Sequence, residues 1–235
     1  VWLGVLAASL WAIGAVMQGR ISMTEALMVE SAALATATAA LGFIDLHRVF
    51  KPLTMVLAIA FVLLRTGGVT KLGRFDALLL GALAMSLAGD VFLMFPGYFI
   101  PGLVSFLIAH LAYIALFRLG QRWFPSRRAL GITLAVGAAM YAFLWAGGLP
   151  AALRVPVAAY VVVIALMAAQ AIGRATVLRD GAAVGVAIGA GFFMLSDSLL
   201  AVNKFVSPLP MAQVGVLSTY YAAQILLVRH LMSAR

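Results

Sequence analysis

The chain has 235 residues, 65% of them hydrophobic and only 10% charged, with a mean hydropathy of +1.13, so a soluble domain is excluded for want of polar surface to cover it. Its net charge of +9 would point to nucleic acid in a soluble protein, but here Lys and Arg fall between apolar runs, where they set membrane topology and leave no case for a nucleic-acid partner. With no cysteine there is no disulfide framework, thiolate nucleophile or Cys-based metal site, and the redox compartment stays open.

In chain order, the first apolar run, 1–18, reads as an extra span, an uncleaved signal-anchor or a product of start-site choice, since the chain begins with Val and no positive charge precedes the run. Runs at 24–44, 52–66, 75–95, 100–118, 129–147, 152–172, 182–202 and 213–231 follow, each compared with the roughly 20 residues that cross a bilayer. The expectation is an all-α fold, a polytopic transmembrane bundle of eight core spans with an additional N-terminal helix. Residues 1–23 form the extra segment and 24–235 the eight-span domain. The connections are short and marked by Pro and Gly ("FPGYFIPG", "GGLP", "SPLP"), so no linker separates two domains.

Lys and Arg fall unevenly on the two sides. Twelve lie on one: Arg20, Arg65, Lys71, Arg74, Arg118, Arg122, Arg127, Arg128, Arg174, Arg179, Arg229 and Arg235. Four lie on the other: Arg48, Lys51, Arg154 and Lys204. The positive-inside rule puts the loops after 66, 118 and 172, and the C-terminus, in the cytoplasm, as for a protein of a bacterial inner membrane.

Of the seven acids, Asp45, Asp76 and Asp180 fall at helix ends or in loops. Glu25 and Glu30 fall near a helix start, where the helix dipole favours negative charge. Only Asp90 and Asp197 fall well inside a span, each about five residues, or roughly 7–8 Å, from the outward end of its helix. A charge in hydrocarbon costs at least about 2.5–3.5 kcal/mol, so two carboxylates at one depth predict a shared polar cavity. His110 and Tyr113 lie one turn apart in 100–118. Gln213, Tyr220 and Gln224 fall within about 20° of one line on 213–231. Asn203 and Lys204 follow Asp197 outward, and Lys51 precedes the run at 52–66 on the same side. Each has a plainer reading: Asp197 satisfied by Ser196 or Ser198, the Gln and Tyr stripe as helix packing, the lysines as snorkelling anchors.

The chain contains no HExxH, G-x-S-x-G or P-loop sequence. A metal on Asp90, Asp197 and His110 is geometrically thinkable, but nothing in the spacing demands it, and neither metal nor cofactor is expected. Asp90 and Asp197 occupy the third and seventh of the eight spans, with His110 and Tyr220 following on the next. That order describes a parallel four-plus-four repeat.

The segments "FKPLTM" (50–55), "LAGDVFLM" (87–94), "FIPGLVSFLIAHLAYIALF" (99–117), "FFMLSDSLLAVNKF" (192–205) and "STYYAAQILLV" (218–228) together resemble the YhhN family of membrane proteins, whose characterised members are lysoplasmalogenases. The resemblance runs from about residue 40 to 230 and implies an eight-span bundle, from which 1–18 departs. It implies hydrolysis of the vinyl ether of a lysoplasmalogen to a fatty aldehyde and glycerophospho-ethanolamine or -choline. The family's two membrane aspartates match Asp90 in "GD" and Asp197 in "SD".

Such a reaction needs an acid to protonate carbon, then a base to activate water, the division of labour that two carboxylates perform in glycosidases. Asp90 and Asp197 are the expected pair. His110, Tyr113, Tyr220 and Gln224 would orient or relay protons, and Lys51, Lys204 and Asn203 would meet the lipid phosphate. The partners are then an alkenyl lysophospholipid and the surrounding membrane lipids, with oligomeric state open. A proton-coupled transporter is the alternative reading of paired membrane carboxylates with a His, and a non-catalytic lipid-binding scaffold is a third.

Overall fold

The structure, a computed structural model, describes residues 2–233. Among these it holds nine α-helices and no strand: α1 (Trp2–Met17), α2 (Met23–Ala40), α3 (Ile44–Thr66), α4 (Arg74–Leu93), α5 (Phe99–Phe117), α6 (Arg127–Ala146), α7 (Arg154–Leu178), α8 (Gly181–Phe205) and α9 (Ala212–Ser233). Six of them, α3 to α8, are long and apolar enough to cross a membrane. The chain is therefore an integral membrane protein, with six spans rather than eight standing on length and apolarity alone. α2 carries Glu25 and Glu30 among Ser and Thr, and α9 carries Gln213, Tyr220, Gln224, Arg229 and His230, which lowers the apolarity of both.

The largest boundary difference is at α3, which begins at Ile44 rather than near 52. Proline is favoured in a first helical turn, yet Pro52 sits inside this helix. The Ser31 and Thr54 hydroxyls donate to the Phe50 carbonyl beside it (3.1 and 3.0 Å), and Asp45 occupies the first turn, where the helix dipole favours it. Lys51 is thus an interior residue of α3 and not its start.

Helix ends follow from local chemistry. Ser22 and Glu25 form a reciprocal capping box on α2, Ser126 caps α6 and Asp180 caps α8. The core joins α3, α4, α5, α8 and α9 through Met55, Phe61, Leu79, Tyr113, Phe117, Phe193 and Leu227. Small residues let these helices approach closely. A Cβ on Gly189 of α8 would lie 3.2 Å from the Ala223 carbonyl oxygen of α9, and one on Gly89 of α4 would lie 2.6 Å from the Phe106 ring of α5. α1 packs on α2 through a separate small cluster, Ala12, Ala15, Ile21 and Ala26, and the Ser9 hydroxyl donates to Glu30 at 2.7 Å.

The turn from α5 to α6 is clamped by Gln170 of α7, which is fully buried. Its amide oxygen accepts from Phe124 N–H (2.7 Å) and its amide nitrogen donates to the Arg122 carbonyl (3.0 Å), with Phe124 held at a positive φ of 43°. Gln170→Leu leaves both backbone groups without that partner and is expected to lower stability by about 1–3 kcal/mol. Thermal melts of the purified protein in detergent check this, and an unchanged melting temperature refutes the clamp.

Candidate active site

α4 and α8 bring Asp90 and Asp197 to one polar chamber of about 260 Å³, also lined by His47, Arg48, Lys51, Phe106, Gln213 and Tyr220. The depths along the helices differ from the sequence expectation. Leu93 ends α4 three residues beyond Asp90, whereas α8 runs eight residues past Asp197 to Phe205. The "FPG" turn stops α4 early while α8 continues outward, so the shared chamber arises from how the helices pack and not from equal spacing.

Asp90 is 2% exposed and fully engaged. Its Oδ1 lies 3.3 Å from Lys51 Nζ on α3, and its Oδ2 accepts from the Tyr220 hydroxyl of α9 at 2.6 Å. Behind Tyr220 a chain of hydrogen bonds continues: Tyr113 of α5 donates to the Gln224 amide oxygen (2.8 Å), and the Gln224 amide nitrogen donates to the Tyr220 hydroxyl (3.4 Å).

Asp197 has a different environment. The Tyr160 hydroxyl of α7 donates to its Oδ2, and His110 Nε2 on α5 lies 4.0 Å from the same oxygen. His110 is fully buried, stacked edge-on against Phe193 and Tyr160, and neither ring nitrogen has a hydrogen-bond partner among the described residues. The neighbouring serines do not satisfy Asp197: Ser196 donates to the Val216 carbonyl and Ser198 to the Met194 carbonyl.

Asp197 also borders a second space, a narrow apolar cleft of about 70 Å³ between α5, α6, α7 and α8. Its walls include Leu103, Met140, Leu144, Val157, Val161 and Ile164. Leu93, Phe106, Asp197 and Leu200 line both spaces and form the partition between them. Phe106 is fixed there by edge contacts with Phe193 and Tyr220 and by the absence of a side chain at Gly89.

The structure thus brings Asp90, Asp197, His110, Tyr113, Tyr220, Gln224 and Lys51 into one connected group. It does not bring Lys51, Lys204 and Asn203 together. Lys51 faces Asp90, and Lys204 lies over the Phe99 ring at the mouth of the apolar cleft. The Asn203 amide oxygen accepts from Leu209 N–H in the turn to α9. Sequence reasoning missed Tyr160, His47, Arg48 and Phe106. Tyr160 did carry a signal, as a phenol in the apolar run "AAYVVV", away from the interface where membrane tyrosines concentrate. Among the described residues no three His, Asp or Glu side chains converge to hold a metal ion.

A model of the YhhN family matches residues 46–231, a stretch that contains both aspartates and every partner named for them. The chain belongs to the YhhN family. It is 35% identical over 155 residues to lysoplasmalogenase TMEM86B of Homo sapiens, covering 66% of this chain and 63% of that protein. It is 33% identical over 160 residues to lysoplasmalogenase TMEM86A of Bos taurus (65% and 64%), and 31% identical over 163 residues to the lysoplasmalogenase of Mycobacterium tuberculosis (66% and 60%). The chain spans a little under two thirds of the length of these relatives. No solved structure matches it. The YhhN match begins inside α3, leaving α1 and α2 outside it.

The buried Lys51–Asp90 pair makes a direct prediction. Removing one member strands the other, so Lys51→Met is expected to cost about 3–5 kcal/mol, while Lys51→Met combined with Asp90→Asn recovers most of that loss. A double-mutant cycle on melts in detergent measures the coupling, and additive single effects refute it.

Proposed function

We propose that this YhhN protein is a lysoplasmalogenase, hydrolysing the vinyl ether of an alkenyl lysophospholipid, with Asp90 and Asp197 as its acid–base pair. The single observation that carries the reading is the placement of Asp197 on the boundary between a polar chamber and an apolar cleft. A single-chain lipid with its tail in the cleft and its headgroup in the chamber puts the bond joining them beside that carboxyl group. The relatives named lysoplasmalogenase support the substrate class.

The different surroundings of the two carboxylates support separate roles. Asp90, with the Lys51 ammonium at 3.3 Å, is the carboxylate that stays charged. Asp197, whose neighbours are a phenol and an imidazole, is the acid. It delivers its proton to the vinyl carbon distal to the ether oxygen, giving an oxocarbenium ion that the Asp90 charge stabilises. Water adds to the carbon bearing oxygen, with its proton taken by a carboxylate. The hemiacetal then breaks its bond to the glycerol oxygen, which gains a proton, and the aldehyde leaves. The balance is one vinyl ether and one water in, one aldehyde and one alcohol out. General acid–base help of this kind contributes about 10²–10⁴-fold. In this reading His110, 4.0 Å from Asp197, returns a proton to it, and the Tyr113, Gln224, Tyr220 chain orients Asp90.

The phosphate then falls to Arg48, which lines the chamber and is half-exposed at its mouth, instead of the engaged Lys51. Lys204, over Phe99, guards the mouth of the cleft. In the membrane, α2 to α9 act as eight core spans, residues 24–235, preceded by the extra segment, with the arginine-rich ends and the C-terminus in the cytoplasm of a bacterial cell. No observation favours the proton-coupled transporter.

Aldehyde release from a defined lysoplasmalogen by the purified protein tests this. Wild-type release should fall at least about 100-fold in both Asp90→Asn and Asp197→Asn at matched folding, while Arg48→Gln raises KM and leaves kcat near wild type. No release from folded wild type with either headgroup refutes the hydrolase. Full activity in either aspartate variant refutes the pair.

A further inference from the structure

The end of the bundle opposite the aspartates holds a second polar pocket with no part in the proposed reaction. Arg65 lies 14 residues beyond Lys51 on α3, a rise of roughly 21 Å at 1.5 Å per residue. Around it a pocket of about 110 Å³ is walled by Arg20 from the turn after α1, Arg65 from the last turn of α3 and Arg229 from α9, over a floor of Phe61 and Met232. The Arg65 guanidinium sits over the Phe61 ring at 5.3 Å.

Among the described residues the charges there do not balance. Among the described residues Glu25 is the one acid lining the pocket, and its Oε2 already accepts from the Ser22 backbone N–H (2.8 Å) and hydroxyl (3.0 Å) in the α2 capping box. Among the described residues no carboxylate lies within 4.0 Å of any of the three guanidiniums. Three like charges drawn from a turn and two helices into one small space repel, and an anion between them relieves that repulsion. Guanidinium forks match the paired oxygens of a phosphate group. The pocket lies at the bundle end where Lys and Arg predominate, which faces the anionic inner leaflet by the positive-inside rule. Its apolar floor suits the glycerol and first methylenes behind a lipid phosphate.

We propose that Arg20, Arg65 and Arg229 form a phosphate-binding site at the cytoplasmic end of the bundle, separate from the chamber of the two aspartates. The same chemistry can be presented by the headgroup of an anionic phospholipid or by a soluble phosphate.

The full chain in phosphatidylcholine nanodiscs tests it by melting temperature, titrated with phosphatidylglycerol in the disc or with inorganic phosphate against chloride at equal ionic strength. A ligand that binds the folded state raises the melting temperature saturably. A rise with phosphatidylglycerol alone identifies the lipid headgroup, and a rise with both probes identifies a site open to soluble phosphate. Each arginine facing an anionic surface contributes about fivefold in affinity. Arg65→Gln with Arg229→Gln should therefore weaken binding on the order of thirtyfold, and the milder Arg20→Gln in the exposed turn about fivefold. Arg118→Gln with Arg122→Gln, on another part of the basic end, should retain wild-type binding. No rise with either probe, or equal loss in the Arg118/Arg122 control, overturns the site.

Discussion

A carboxylate inside an apolar bundle persists only where something answers its charge, and two of them bordering one chamber raise the demand because each also repels the other. The arrangement of helices around Asp90 and Asp197 reads as the solution to that constraint. A cation from α3 and a phenol from α9 converge on Asp90, and a phenol from α7 and an imidazole from α5 converge on Asp197. Hydrogen bonds between membrane helices average only about 0.6 kcal/mol, so these contacts do not hold the bundle together on their own. Close packing at Gly89, Gly102, Gly185 and Gly189 brings the helices together. Within that packing the polar groups answer the two buried carboxylates.

Phe106 shows how packing and polarity are joined. The missing side chain at Gly89, beside Asp90, lets the ring lie against α4, and its edge contacts with Phe193 and Tyr220 fix its orientation. From that position it separates polar from apolar space, with Leu93 and Leu200 completing the wall. For the proposed substrate, a narrow apolar cleft suits one hydrocarbon chain better than two, and the ionic groups across the wall suit a charged headgroup. The contrast between polar and apolar surroundings thus lies in two adjoining volumes rather than in a single residue.

The all-helical fold was legible because apolar runs of span length are the strongest signal a sequence carries, and Asp90 and Asp197 were legible because charge in such runs is rare. What escaped was whatever depends on the third dimension. Pro52 looked like a helix start and is instead an interior residue of α3, which turned Lys51 from an interfacial anchor into the partner of a buried acid. Tyr160 lies 37 positions before the carboxylate it touches, on a helix with no other polar feature at that level. Asn203, polar and outward, had every mark of a headgroup ligand, but a local turn needed its amide oxygen. The six spans that stand on composition, against eight expected, reflect the Gln, Tyr, Glu and Thr of α2 and α9, whose polar side chains serve the site and the packing.

The two aspartates hold equivalent places in the four-plus-four order of the helices α2 to α9. Each sits on the third helix of its half. Each meets a residue from the second helix of the same half, Lys51 or Tyr160, and one from the fourth helix of the other, Tyr220 or His110. A fully exchangeable arrangement would give two carboxylates of like character, unsuited to the proposed reaction, which needs a proton donor and a standing negative charge at once. The exchange is broken at both pairs of places: the second helix offers an ammonium in one half and a phenol in the other, and the fourth helix a phenol in one case and an imidazole in the other. Of these differences the ammonium bears most directly on charge, and it is the ground on which the proposed reaction gives Asp90 the standing charge and Asp197, on the wall between chamber and cleft, the proton.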